Sequence, residues 1–421
     1  MTISTQTAPL ILSSHVRGDD LATCISCGLC LNDCPTYRVL GDEADSPRGR
    51  IHLMDARLDG TVTLNDTVAQ HFDRCLGCMA CVSSCPSGVR YDRLIESTRA
   101  AVEAEYERPF GEALLRWLLF RVLPYPGRMR AALQLAPLGR VLPVPRELRP
   151  LVEVAPRWKP HGEIPTFTAA SGEPRGRVGL LTGCVQRAAF QDVNQATARV
   201  LAADGFEVVA PPQGCCGALS VHAGRLEEGK AFARRLVAAL EGLDVIVVNA
   251  AGCGSHLKEL GWLLEDERAA AFSAKVRDVG EFLADVAPRA RRNPLPLTVA
   301  LQDSCHLRHA QALPLAASVS LGRVPELELV EPAEQELCCG SAGIYNLVQP
   351  EAARALGDRK AGHVLATGAQ AFASANPGCL VQISAALRRA KQPLPALHPI
   401  ELVDASIRGV AAGKLRTTAR R

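Results

Sequence analysis

Cys24-Ile-Ser-Cys27-Gly-Leu-Cys30-Leu-Asn-Asp-Cys34-Pro35, answered by Cys75-Leu-Gly-Cys78-Met-Ala-Cys81-Val-Ser-Ser-Cys85-Pro86, decides how this 421-residue chain begins. Each run reads C-x2-C-x2-C-x3-C-P, the bacterial spacing for a pair of cubane [4Fe–4S] clusters, whose fourth cysteine serves the other cluster. The first three cysteines wrap one cluster, and the fourth, turned away by the following proline, reaches its neighbour. Cys24, Cys27, Cys30 and Cys85 are therefore assigned to one centre, and Cys75, Cys78, Cys81 and Cys34 to the second. Zinc commonly takes two C-x2-C pairs, which leaves the third cysteine of each run and the Cys-Pro ending surplus. A disulfide framework suits a small secreted scaffold, and residues 1–20 show no secretory leader. The paired loops predict a domain that carries electrons.

Outward from the loops, residues 1–20 read as a loose or lightly helical lead-in. Between the loops Ser46 can cap a helix and Pro47 fits its first position, so a helix is expected from Arg48 to about Leu58. Arg48 and Arg50 then either lie beside net-negative clusters, where a fixed cation favours the reduced state, or are solvated arginines on a helix turn. A charged helix over about 92–108 closes the first domain, residues 1–108.

Residues 109–175 form a connector and linker. The stretch 113–146 holds six arginines and no acid, with Trp117, Phe120 and many leucines between them, and its prolines cut it into short helices. Such a stretch suits an anionic membrane surface or a groove on a partner subunit. It equally suits an internal helical pair with its arginines turned to solvent. Residues 156–176 read as a Pro/Gly-rich linker.

After the linker the chain repeats itself. Cys184, the vicinal pair Cys215 and Cys216, and Cys253 fall in a first module, 176–296. Cys305, the pair Cys338 and Cys339, and Cys379 fall in a second, 297–421. Offsets of 121, 123 and 126 between matching cysteines indicate a duplicated domain. Short apolar runs alternating with amphipathic helices predict a parallel α/β sheet in each. The cysteines fall just past strand ends, where such sheets gather ligands and helix N-termini favour thiolates. Gly217 and Gly340 let the backbone bend at each vicinal pair. All eight cysteines are read as metal ligands, with an iron–sulfur cluster, zinc or an empty site open.

Hydrophobic residues make up 48% of the chain, ample for two or three domains with buried cores, and aromatics only 4%, too few for base-stacking platforms. No apolar run reaches the length of a spanning helix. Sixteen cysteines in a chain without a leader point to metal ligation in a reducing cytoplasm. There is no G-x-G-x-x-G after a strand, no P-loop and no nucleophile constellation. No flavin, nicotinamide or nucleotide is expected on this chain, and no catalytic residue is assigned.

Taken together, Cys34-Pro-Thr-Tyr37, Gly41-Asp-Glu43, Pro47-Arg-Gly-Arg-Ile51, Cys85-Pro-Ser-Gly-Val-Arg-Tyr91, Gly214-Cys-Cys-Gly-Ala218, Cys338-Cys-Gly-Ser-Ala-Gly343 and Ala375-Asn-Pro-Gly-Cys379 resemble the iron–sulfur subunits of glycolate oxidase (glycolate dehydrogenase). More broadly they resemble the cysteine-rich subunits related to heterodisulfide reductase. The resemblance implies a ferredoxin-like α+β or α-helical N-terminal domain with two cluster loops, followed by the duplicated α/β cysteine-rich domain. It implies an FAD-containing dehydrogenase partner that oxidises glycolate, and electrons passing through this chain toward a membrane quinone. A cytoplasmic place on the inner face of the membrane follows. The broader family often closes each module with C-x2-C; here His256 and Gln382 stand at the last position, so each module is four-sulfur. His256 and His306 are read as ligands, proton carriers or satisfied polar neighbours. Two alternatives are a heterodisulfide-reductase-like catalyst acting on a thiol or disulfide, and a subunit serving a lactate or glycerol-3-phosphate dehydrogenase.

Overall fold

The computed structural model describes residues 18–417 except 142, 146, 147, 157, 159 and 161. Most of the lead-in expected over residues 1–20 lies outside the described residues; the short helix Gly18–Ala22 delivers the chain to Cys24.

The first domain is helical, with Leu29–Asn32, Pro35–Leu40, Pro47–Leu58, Asp66–Asp73, Ala80–Ser83 and Tyr91–Glu105. Of the two expected architectures it takes the all-helical one. Each cluster loop enters left-handed backbone at the same two positions: Ser26 (φ 55°) and Gly28 (φ 81°) in the first, Gly77 (φ 59°) and Met79 (φ 63°) in the second. Only one position of each pair is glycine, so Ser26 and Met79 hold a conformation that side chains rarely adopt. Ser46 caps the helix at Pro47–Leu58, its hydroxyl accepting from Gly49 N at 3.0 Å, with Pro47 at the first position. The closing helix is shorter than expected and ends at Glu105.

The connector forms helices Phe110–Val122, Pro126–Leu135 and Leu138–Val141. Leu119 and Phe120 pack on Ile344 and Leu347 of the second module, while Met129 and Leu133 pack on Ala188 of the first. Arg116 is buried, bound to Glu112 and Asp73. The opposite face of the first connector helix stays in water, with Phe110 82% and Trp117 52% exposed. The segment therefore combines internal packing with an unpaired apolar face.

Each module holds a sheet. The first contains β1 (Phe167–Thr168), β2 (Gly176–Leu181), β3 (Phe206–Val209), β4 (Ile246–Val248) and β5 (Val276–Asp278) in the order β1-β3-β2-β4-β5. The second contains β6 (Leu297–Leu301), β7 (Leu327–Val330), β8 (Ala371–Ala373) and β9 (Ala396–Leu397) in the order β7-β6-β8-β9. Matching strands occupy matching places, and β2 to β9 pair only in parallel. The exception is β1, which pairs antiparallel with β3, Phe167 opposite Val209. It lies inside the stretch read as a linker, because the outer edge of β3 offers backbone groups that the passing chain can satisfy.

The two modules share one apolar core. Val178, Leu180 and Val200 from the first and Leu297, Val299 and Leu402 from the second belong to a single buried cluster. Helix Pro399–Ile407 of the second packs on helix Gln191–Ala203 of the first, and Arg199 grips Asp404 through two bonds of 2.9 and 2.7 Å.

Candidate iron–sulfur sites

Cys24, Cys27, Cys30 and Cys85 line one pocket, together with Pro47, Arg48 and Tyr91; Cys81 also reaches it. The four cysteines assigned to the first centre thus converge. Burial pushes the Cys30 thiol up to about 11. Cys27 is exposed, and its neighbour Ile25 is 68% exposed, so this site lies at the surface. Arg48 hydrogen-bonds Ser26 O at 3.0 Å and pairs with Glu43, close to the loop yet partly in water.

The second set, Cys75, Cys78, Cys81 and Cys34, is wholly buried. Gly77 N (3.4 Å) and Tyr91 OH (3.7 Å) point hydrogen at Cys75 Sγ, and Thr36 Oγ1 lies 3.2 Å from Cys34 Sγ. A sulfur that accepts from two donors, as Cys75 does, suits a negatively charged cluster. Arg50 is not a solvated arginine. It is 1% exposed and spans Thr36 Oγ1, Asp45 Oδ1 (both 3.3 Å) and His71 O (2.6 Å). Asp45 is also held by Arg74 and His71. Burial opposes ionisation of Cys75, but the charges of Arg50 and Arg99 outweigh it and hold the thiol below its ordinary range.

In the first module Cys184 and Cys215 sulfurs lie 3.4 Å apart, and Cys216 bonds both Cys215 and Cys253. In the second, Cys305 and Cys338 are 3.8 Å apart, and Cys339 bonds both Cys338 and Cys379. All eight predicted cysteines therefore gather, four to a module. The electrostatics repeat as well. Bonds from Cys184 and Cys216 hold the Cys215 thiol low, with Cys216 raised; bonds from Cys305 and Cys339 hold Cys338 low, with Cys339 raised. Gly217 (φ 97°) and Gly340 (φ 86°) make both arrangements possible, since a Cβ would sit 2.5 Å from Gly229 O in one and 2.8 Å from Ala353 O in the other. Gly217 N (3.5 Å) points hydrogen at Cys215 Sγ in the first module and Asn376 Nδ2 (3.7 Å) at Cys379 Sγ in the second. Donors aimed at gathered sulfurs fit a sulfide-bearing cluster.

The residues in place of a fifth cysteine are occupied elsewhere. His256 Nε2 donates to Cys216 O at 3.2 Å, and Gln382 binds Ala353 O and Asn346. His306 uses both ring nitrogens, Nε2 donating to Gly77 O at 2.9 Å and Nδ1 accepting from Ser255 Oγ at 2.8 Å. Burial pushes both histidines down to about 4. His306 thus bridges the second cluster loop and the first module.

Two features had no local signature. Leu76 and Cys78 of the second loop pack against Leu337 and Cys338 of the second module, and the Cys338 charge helps raise the Cys78 thiol after burial itself. His222 and Glu96, 126 residues apart in sequence, pair at 2.7 Å beside His256 and His306.

Residues 20–89 match the family described as a 4Fe-4S dicluster domain, and residues 178–258 and 299–384 match the cysteine-rich domain. A probable glycolate oxidase iron–sulfur subunit of Bacillus subtilis is 37% identical over 398 residues, covering 88% of this chain and 90% of its own. The glycolate oxidase iron–sulfur subunit of Escherichia coli is 36% identical over 401 residues, 92% of this chain and 94% of its own. A lactate utilization protein A of Exiguobacterium is 28% identical over 240 residues, 55% of this chain and 98% of its own. The crystal structure of a hypothetical protein from Helicobacter pylori superposes with a TM-score of 0.52 at 9% identity, covering 88% of this chain and 69% of that one, a likeness of fold alone. With the two cluster loops and both cysteine-rich modules matched in order, the chain belongs to the family of glycolate oxidase iron–sulfur subunits, the electron-transfer components of oxidoreductase complexes.

Proposed function

We propose that this chain accepts electrons from a flavin-bearing partner that oxidises glycolate and delivers them to a quinone at the membrane. The supporting observation is the continuous succession of cysteine sites, from the exposed Cys27 through the buried second set to Cys78 beside Cys338. In this reading Cys24, Cys27, Cys30 and Cys85 hold one [4Fe–4S] cluster and Cys75, Cys78, Cys81 and Cys34 the other, each supplying one-electron chemistry when bound. Cys184, Cys215, Cys216, Cys253, Cys305, Cys338, Cys339 and Cys379 hold metal in the modules. The chain's own residues order these thiolates, exclude water from the second set and place Arg50 as a fixed charge beside it.

The connector supports a peripheral place on an anionic bilayer. Phe110, Leu114, Trp117 and Leu118 form an exposed apolar face, with Arg121 stacked on Trp117. No helix among the described residues is long and apolar enough to cross a membrane.

The test is anaerobic purification with the flavoprotein partner, followed by iron, sulfide and zinc analysis, low-temperature EPR and dye reduction with glycolate. Glycolate-dependent reduction together with more than about eight irons per chain supports both parts of the reading, since two cubanes account for eight. Iron-poor, zinc-bearing material overturns the electron-carrier reading. Reduction driven by lactate or glycerol phosphate but not glycolate overturns the substrate; the likeness to lactate utilization proteins makes lactate the second substrate to assay. Disulfide turnover by the isolated chain would instead favour the heterodisulfide-reductase-like role, against which the occupied His256 and Gln382 positions count.

A further inference from the structure

We propose that the cavity where the cluster domain meets both modules binds a quinone headgroup, which rests on the electron-transfer reading above and names the place where its acceptor sits. The cavity measures about 210 Å³ and is walled by Met79 and Val82 of the second loop, Trp262 of the first module, Ala310 of the second, and the His222–Glu96 pair. A cavity of about 150 Å³ already accepts benzene, so one substituted ring fits.

Three features of the wall select the ligand. First, charge: Arg90 at the rim is bound to Asp92 at 2.6 Å and Glu259 at 3.1 Å, and Glu259 is also bound to Arg93. Among the described residues no lining arginine or lysine is left unpaired to hold a carboxylate or phosphate, so the wall does not select an anionic guest. Second, shape and polarity: Trp262, Val82 and Met79 offer apolar surface to a ring, while His222 offers a polar atom to an oxygen. Its Nδ1 donates to Glu96, and its buried Nε2 has no partner among the described residues. Third, position. His306 ties the cavity to Gly77 of the second loop and to Ser255 of the first module, while His256 ties it to Cys216. A guest here lies against residues hydrogen-bonded to the backbone of two cysteine sites, the second loop and the first module, and one of them, His306, directly follows Cys305 of the second module.

The chemistry balances. Oxidation of the hydroxy acid to the oxo acid releases two electrons and two protons, and the quinone takes up two of each as its two C=O groups become C–O–H. Glu96 orients the His222 ring through Nδ1, so Nε2 is the atom through which a proton would pass to or from the quinone oxygen, the arrangement general acids and bases use.

The test is calorimetric titration of the full, cluster-loaded, oxidised chain with ubiquinone-1 and with menadione, in the absence of partner and glycolate. One molecule of at least one quinone is expected to bind per chain. Filling the cavity from either side, by Ala310→Trp at its exposed rim or by Val82→Trp, is expected to weaken that binding by about tenfold or more, the loss of the ring's contacts. His222→Phe should weaken binding while cluster absorbance is retained. Failure of both quinones to bind, or wild-type affinity in both tryptophan variants, overturns the proposal. A complex that binds quinone but does not oxidise glycolate overturns the substrate reading and leaves the site standing.

Discussion

Replacing Arg50 with methionine removes a charge while roughly keeping its volume, and the structure says what that charge does. Contacts of 3.3 and 3.2 Å through Thr36 Oγ1 link its guanidinium to Cys34 Sγ. They put the charge within roughly 6–7 Å of that sulfur, and at an effective dielectric of about 20 a unit charge 6–8 Å away contributes about 2–3 kcal/mol. Arg50 is buried, so salt screens little of this. A positive charge favours the state carrying the added electron, so its loss should lower the potential of the second cluster by about 90–120 mV, taking about 59 mV per tenfold change for one electron. Asp45 keeps Arg74 and His71, so the variant should fold, at a cost nearer the lower end of the roughly 3–5 kcal/mol for breaking a buried pair. Anaerobic redox titration followed by EPR measures the shift, and Arg50→Lys should recover most of it. A change below about 20 mV in Arg50→Met, well under the Coulomb value, or an equal shift in Arg50→Lys, would refute the electrostatic role.

Arg48→Gln removes a half-exposed cation, so it should move the first cluster by less than Arg50→Met moves the second and cost no more than about 1 kcal/mol, as the same titration and a thermal melt would show. Cys216→Ser and Cys339→Ser should each lower metal content in one module while the EPR signals of the paired cubanes persist; loss of those signals would mean that the modules do not hold metal independently. Gly217→Ala forces a Cβ to 2.5 Å from Gly229 O and should cost about 1–3 kcal/mol or more from backbone strain alone, read as a lower melting temperature with reduced metal in the first module. His398 caps helix Pro399–Ile407 through Nδ1, which accepts from Ile400 N, and burial pushes it down to about 3. Its folded value lies below the unfolded one, so its contribution is complete above about pH 6.5 and is lost as pH falls toward 3. Urea melts across that range should fall less steeply for His398→Asn, which retains a capping side chain.

What could be seen in the chain beforehand was what local spacing encodes. Cysteines three residues apart with a terminal proline specify a loop whatever the rest of the protein does, so both quartets were legible. The modules were legible because duplication repeats the spacing. Arg50 was ambiguous because an arginine one turn into a capped helix has the same local pattern whether it faces water or the core. It is drawn inward by Asp45 and by the carbonyl of His71, and only packing reveals that. The Glu96–His222 pair and the approach of Cys78 to Cys338 join segments more than a hundred residues apart, and nothing in either segment announces its partner. The pairing of Phe167–Thr168 with β3 was hidden for another reason. Two residues are too few for an alternating pattern, so the stretch reads as linker.

The interior common to both modules has a mechanical corollary. A chain cut after residue 296 would leave Val178, Leu180 and Val200 without the leucines and valines that cover them, and Arg199 without its carboxylate. Neither half is an autonomous unit, so the two four-sulfur nests cannot swing apart and meet again as hinged lobes do. Their separation is set at folding, and any timing of delivery has to come from arrivals and departures at the rims of the molecule rather than from its bending.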